Sequence, residues 1–499
     1  MTIARVSTFA FSGIEAIPVE VQVQVAPGLP GFTVVGMPNK AVAESRERVR
    51  AVFSSLGLSL PPRRVLVNLA PADLPKEGTH FDLPIALSLL AAMEVIPPAE
   101  VIGYAALGEL ALDGAIGPTT GILLAALEAG RLGLGLVCPK AQAAEAAWAA
   151  DAEILAADDL RVLIAHFQGR QILSPPARPV AAPEARADGP CLSEVRGQES
   201  AKRALEVAAA GSHNLLFVGP PGAGKSMLAE RMAGILPPLT QREALEVSTI
   251  RSVAGLPLGN VLSSRPPFRN PHHSASQAAL TGGGPRGRPG EITLAHRGVL
   301  FLDELPEFPR PALEALRQPL ESGEVVVSRV AAHVTYPARV QLVAAMNPCR
   351  CGHLGEAGRE CGRAPRCGED YRAKLSGPVL DRLDMVVGVQ PIPATELSRA
   401  PAGEPSAAVA ARVAAARERQ RVRWGEDGPR TNAEAPIAAL QPSISADAMT
   451  LAEQAVERLR LSNRGFVRTL RVARSIADLA GEAAVERAHV AEALAYRQR

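Results

Sequence analysis

The 499 residues are 47% hydrophobic and 21% charged, an ordinary globular composition, and with only 3% aromatics the cores must rest on Ala, Leu, Val and Ile. A formal net charge of +2 excludes a global basic field for nucleic acid, so any basic surface must be local. No apolar run approaches the roughly 18 residues of a membrane span, the start (Met1-Thr2-Ile3-Ala4-Arg5-Val6) lacks a signal-peptide core, and six cysteines read as reduced thiols; the expectation is a soluble, cytoplasmic, non-membrane protein.

The length suggests about three domains. Residues 1–172 alternate strand-like pieces, such as Val19-Glu20-Val21-Gln22-Val23-Gln24-Val25, with helical ones such as 41–56. Residues 173–190, with Pro175, Pro176, Pro179, Pro183 and Pro190, have no periodic apolar face and read as an extended linker. An α/β unit follows over 191–394, and 395–499 are predominantly helical after an Ala/Pro-rich break.

Within the α/β unit, the apolar run Asn214-Leu215-Leu216-Phe217-Val218 precedes Gly219-Pro220-Pro221-Gly222-Ala223-Gly224-Lys225-Ser226 and then a helix-forming stretch. This fills the pattern G-x-x-x-x-G-K-[ST] in its strand–loop–helix context. Backbone N–H groups and the helix N-terminus can wrap a triphosphate, Lys225 can reach the β- and γ-phosphates, and Ser226 can ligate Mg²⁺. Farther on, His272-His273 has no acidic or cysteine companion at ligand spacing, so a polar loop or subunit contact fits it better than a metal. Thr281-Gly282-Gly283-Gly284-Pro285-Arg286-Gly287-Arg288 supplies a flexible loop with two arginines.

The strand Gly298-Val299-Leu300-Phe301-Leu302 ends in Asp303-Glu304: Asp303 is placed to hold Mg²⁺ and Glu304 to deprotonate the attacking water. Residues 324–336 read as a two-stranded hairpin with Arg329 and His333 near its tip. A further strand, 340–346, ends at Asn347, an amide placed to position water beside the γ-phosphate. Cys349, Cys351, Cys361 and Cys367 then crowd together as C-x-C-x₉-C-x₅-C. Four soft ligands can close a structural Zn²⁺ site, or remain free thiols in an exposed loop; the paired C-x₂-C knuckles are missing. Two Arg-rich helices, 408–424 and 465–480, close the chain.

Four stretches carry a family resemblance: Asn270-Pro271-His272-His273-Ser274, Arg288-Pro289-Gly290-Glu291-Ile292, the run 298–308 (GVLFLDELPEF), and 375–384 (LSGPVLDRLD). Over nearly its full length the chain resembles the ComM/YifB group of magnesium-chelatase-like AAA+ ATPases. The resemblance implies an α/β P-loop AAA+ core with a C-terminal helical lid, preceded by a Lon-protease-like α+β domain. It further implies a homo-oligomeric ring, usually a hexamer, using ATP and Mg²⁺. Arg382 falls at the family's arginine finger, acting in trans, and Arg464 at its sensor-2 position, with Arg471 as the second choice. The Lon-like resemblance includes 68–78, yet His80 stands at the expected Ser place and Leu123 at the expected Lys place. A Ser–Lys dyad needs both nucleophile and base, so peptidase activity is not expected.

The resemblance also extends to the pre-sensor hairpin and helix-2 insert of MCM helicases, which line a ring's centre. Arg286, Arg288 and Arg329 are accordingly the candidate contacts to single-stranded or branched DNA, with Arg412, Arg417, Arg419, Arg421 and Arg423 next. ComM-like proteins are associated with ATP-driven branch migration during natural transformation. The alternative is a magnesium-chelatase-like motor that remodels a partner protein without nucleic acid.

Overall fold

Apolar runs with no polar face must be covered on both sides, and Leu215–Val218 and Val299–Leu302 duly lie in one parallel sheet. The computed structural model describes residues 3–149, 151–177, 189–258, 262–284, 287–328, 333–355, 359–393, 395–396, 400–425 and 428–497. The chain forms two units, Met1–Pro183 with Ala244–Ser263 and Glu184–Glu243 with Ser264–Arg499.

The first unit is built on a mixed seven-stranded sheet. Its strands are β1 (Ile3–Ser12), β2 (Glu15–Ala26), β3 (Gly31–Val35), β4 (Arg64–Ala70), β5 (Tyr104–Ala106), β8 (Gly135–Pro139) and β9 (Ile154–Ala157), in the order β3-β4-β2-β1-β5-β8-β9. The short ribbon β6 (Glu109–Leu110) and β7 (Ile116–Gly117) stands apart from it. The period-2 pattern of β2 is realised: Val19, Val21 and Val23 are buried while Glu20, Gln22 and Gln24 are not. Helix Asp82–Ala92 is buried along its whole length against β1 and β2. Its Asp82 is balanced by a bidentate pair from Arg48, at 2.6 and 2.9 Å.

His80 and Leu123, the two positions singled out by the expected Lon-like resemblance, both lie in the core. His80 is buried, Nε2 lies 2.9 Å from the Phe9 carbonyl, and the ring packs between Phe11 and Phe81. Burial pushes its pKa down to about 4. Leu123 is fully buried. Its amide donates to Glu145, which also accepts from Ser252, a residue contributed to this unit by the excursion Ala244–Ser263.

The second unit holds the sheet that positions the site. Strands β10 (Leu215–Val218), β11 (Phe268–Arg269), β12 (Val299–Leu302), β15 (Gln341–Met346) and β16 (Met385–Gly388) are all parallel, in the order β11-β12-β15-β10-β16. Between β12 and β15 the chain makes a hairpin, β13 (Glu324–Ser328) paired antiparallel with β14 (His333–Pro337).

The lid helices include Ser406–Trp424, Ala446–Leu459, Asn463–Ala480 and Arg487–Ala495. Leu470, Val472 and Ile476 of the lid share one apolar core with Leu205 and Ala208 of helix Glu199–Gly211. A buried polar network pins the same contact. His213 Nε2 lies 2.7 Å from Ser475 Oγ, and Asp478 pairs with both Arg474 and Arg423. Among the described residues no helix is long and apolar enough to cross a membrane.

Candidate active site

β10 is the inner strand between β15 and β16, and the phosphate loop leaves its carboxyl end, the crevice position for ligands in open α/β sheets. Gly224, at φ 90°, caps helix Lys225–Glu230 in the left-handed region that a side chain resists. Lys225 is buried, and its Nζ donates to the carbonyls of Gly219 (2.7 Å) and Pro220 (2.9 Å) and to Asn347 Oδ1 (3.0 Å). Burial lowers its pKa, while the carboxylates of Asp303 and Glu304 favour the ammonium. Asn347, 122 residues away in sequence, is thus joined to the phosphate loop directly.

Ser226 Oγ donates to Asp303 Oδ2 at 2.6 Å, and Asp303 Oδ1 accepts from the Glu304 amide at 2.9 Å. Two oxygen donors from different elements converge here, a donor set suited to a hard divalent cation. Glu304 itself has φ 51°, a left-handed backbone uncommon for a residue with a side chain. Its carboxylate is half exposed and lies 3.2 Å from His273 Nδ1. The His272 ring lies against His273, centroids 4.1 Å apart and tilted by 33°, and its own Nδ1 faces Ser274. The His273–Glu304 contact escaped the sequence reading. The available signal was a histidine shortly after an edge strand that neighbours the acid-bearing strand, and it becomes readable only with the sheet order.

Arg382 and Arg464 converge on Glu321 rather than on their own phosphate loop. Arg382 donates through Nε to Arg317 O (3.3 Å), through Nη1 to Pro378 O (3.0 Å) and through Nη2 to Glu321, while Arg464 lies 3.9 Å from Glu321. Arg471, the other sensor-2 candidate, is turned into the lid, where Nε donates to Ala435 O and burial lowers its pKa.

The four cysteines gather in one place: Cys351 hydrogen-bonds to Cys349 and Cys361, and Cys367 to Cys361 and Cys349. Among the described residues no group of three or more His, Cys, Asp or Glu side chains could hold a metal ion. Cys349 Sγ and Cys351 Sγ approach to 3.1 Å. Two thiolates on one tetrahedral zinc, each at about 2.3 Å, would stand roughly 3.8 Å apart. The loop nevertheless borders the site, since a Cβ on Gly352 would fall 2.4 Å from Pro221 Cδ of the phosphate loop.

Of the candidate nucleic-acid residues, Arg286 and Arg329 lie outside the described residues, and Arg288 is exposed. Arg288 closes its loop by paired backbone bonds with Gly283, and Tyr336 of β14 donates its hydroxyl to Gly287 O at 2.7 Å. The arginine loop and the hairpin are therefore fastened together. The arginines of helix Ser406–Trp424 are engaged within the chain instead. Arg412 pairs with Glu404 and Glu206, Arg417 donates to Ala209 O, Arg419 to Asp478 O, Arg421 pairs with Glu418, and Arg423 with Asp478.

A five-stranded parallel sheet with a phosphate loop on an inner strand, acids ending a second strand, a polar amide ending a third and a helical lid behind defines a P-loop ATPase of the AAA+ class. Residues 191–397 match the family described as Magnesium chelatase, subunit ChlI; 21–142 match Subunit ChlI of Mg-chelatase, and 403–497 its C-terminal counterpart. The chain is 44% identical to the Uncharacterized protein YifB of Escherichia coli, over 100% of this chain and 97% of that protein. It is 43% identical to the Competence protein ComM of Haemophilus influenzae, over 100% and 98% respectively. It is 29% identical to the Magnesium-chelatase 38 kDa subunit of Cereibacter sphaeroides, over 32% of this chain and 52% of that one. The chain belongs to the ComM/YifB family of magnesium-chelatase-like AAA+ proteins, and this membership implies the use of ATP and Mg²⁺.

Proposed function

We propose that this protein is an ATP-hydrolysing ring motor, most often hexameric in its family resemblance, that translocates on single-stranded or branched DNA and promotes branch migration. The Lys225–Asn347 and Ser226–Asp303 contacts carry the ATPase part, because they join the phosphate loop to residues at the ends of two other strands, 122 and 77 positions away. Ser226 and Asp303 are the residues that would hold Mg²⁺, which supplies charge neutralisation of the β- and γ-phosphate oxygens. Lys225 adds a fixed positive charge, and Glu304 accepts the proton of the attacking water. Asn347 orients that water. Arg382 and Arg464, turned to Glu321, serve the nucleotide of a neighbouring subunit.

The DNA part is supported by the Tyr336–Gly287 bond, which unites the hairpin with the loop bearing the exposed Arg288. The name of the Haemophilus influenzae relative, Competence protein ComM, favours a role in natural transformation. The residues at the Lon-like dyad positions, buried His80 and Leu123, offer no Ser–Lys pair for peptide hydrolysis. A second reading, a motor that remodels a partner protein without nucleic acid, is favoured by the similarity to the magnesium-chelatase subunit. ATPase rates of the purified protein with single-stranded, double-stranded and branched DNA decide between them. Stimulation by DNA is expected; a rate indifferent to all three would support the partner-protein motor.

A further inference from the structure

A cavity of about 450 Å³ is lined by Glu314, Arg317, Gln318, Glu321, Ser322 and Arg382. Arg382 is almost wholly buried beside it, and each of its three nitrogens already has a partner: two backbone carbonyls and Glu321. The carbonyls fix where the guanidinium sits. Glu321 is a partner of another kind, because it is about 61% exposed and also lies within ion-pair range of Arg464. One solvent-facing carboxylate therefore balances two arginines, and such an exposed carboxylate holds a guanidinium weakly. A triphosphate offers more charge and the bidentate oxygen geometry that an arginine fork matches.

The remaining charges around the cavity do not compete. Arg317 is paired with Glu314 at 2.8 Å, leaving Glu321 as the carboxylate that faces Arg382. Glu321 belongs to the turn Pro319–Ser322 and is followed by Gly323 at φ 74°, so its carboxylate can swing away without unwinding a long element.

We propose that Glu321 is an exchangeable counter-ion. It holds Arg382 and Arg464 until a second copy of this chain presents the γ-phosphate of its own bound nucleotide to this cavity, and it then yields both arginines to that phosphate. The inference rests on the in-trans reading of Arg382 given above. It assigns a restraining role to a carboxylate that is neither a phosphate ligand nor a base.

The test compares Glu321→Gln, Glu321→Asp and Arg382→Ala in the full-length protein, with ATPase measured across a protein-concentration series in the absence of DNA. Glu321→Gln keeps the side-chain shape and removes the charge. It should raise the DNA-free rate about threefold, the scale of an exposed ion pair, and move the half-maximal protein concentration downward by a similar factor. Glu321→Asp should restore the restrained rate. A residue needed only for folding would lower activity in both variants. Glu321→Gln at or below the wild-type rate, with Arg382→Ala inactive, overturns the counter-ion role alone. Wild-type turnover by Arg382→Ala overturns the in-trans reading itself.

Discussion

His273 and Glu304 meet across two neighbouring strands, Nδ1 to Oε2 at 3.2 Å, although they are 31 residues apart. β11 ends at Arg269 and β12 at Leu302, and parallel pairing brings the loops after both strands to the same edge of the sheet. The imidazole touches the carboxylate proposed as base and thereby limits where that exposed, left-handed residue can point its oxygens. His273→Ala should lower kcat about tenfold with little change in KM, because a positioning contact acts on proton transfer and not on nucleotide binding. His273→Asn should recover part of the loss. Steady-state ATPase kinetics check this, and an unchanged kcat would leave the contact without a catalytic role.

Lys225 and Glu304 should fail in different ways. Lys225→Ala removes the buried ammonium that joins the loop carbonyls to Asn347, so nucleotide binding itself should weaken by tenfold or more, as about 1.4 kcal/mol per decade allows. Glu304→Gln leaves the Ser226–Asp303 pair in place, so ATP should bind normally while turnover falls by about 10²–10⁴. A fluorescent ATP analogue measures the first and phosphate release the second. Wild-type turnover by Glu304→Gln would remove the base assignment.

The phosphate loop, Asp303, Glu304 and Asn347 were readable because each lies at the end of a short apolar strand, and strand ends are local features. The helix expected over 465–480 begins at Asn463, because Ser462 caps it, its Oγ accepting from the Gly465 amide. The partners of His273, Arg382 and Tyr336 depend on which strands are neighbours and how loops fold back, which no local pattern encodes. On helix Ser406–Trp424 the arginine density alone did not tell that Arg412, Arg421 and Arg423 pair with Glu206, Glu404, Glu418 and Asp478. The excursion Ala244–Ser263 into the first unit also carries no boundary signal in composition.

Stability should fall on mild acidification, and His80 makes a defined contribution. Burial holds its pKa at about 4, whereas an unfolded chain returns it to the ordinary value near 6.5. The unfolded state therefore binds the extra proton between those values. Stability from this group is fully present above about pH 6.5 and is lost as pH falls toward 4, by up to roughly 3 kcal/mol. Urea unfolding of the first unit's signal at pH 7 and pH 5 should show the loss, and His80→Phe should flatten it by removing the titrating group. An equally steep pH dependence in His80→Phe would assign the effect to other groups.

Thiol reactivity should separate the six cysteines sharply. Hydrogen bonds from the His353 backbone and from Cys349 lower the Cys351 thiol to about 7, and Cys351 is exposed. Hydrogen bonds from Ser193 and the Ser406 amide bring Cys191 to about 6. Burial instead raises Cys138 to about 12. Because the thiolate is the nucleophile, alkylation of Cys351 by iodoacetamide should rise through pH 7 and level off above pH 8, about one unit past its pKa. Cys191 should react at lower pH but more slowly, being half-buried, and Cys138 should stay unmodified until the protein unfolds. Peptide mass spectrometry after timed labelling resolves all six. Joint protection of Cys349, Cys351, Cys361 and Cys367, relieved by a chelator with release of one zinc per chain, would decide for the zinc alternative over free thiols.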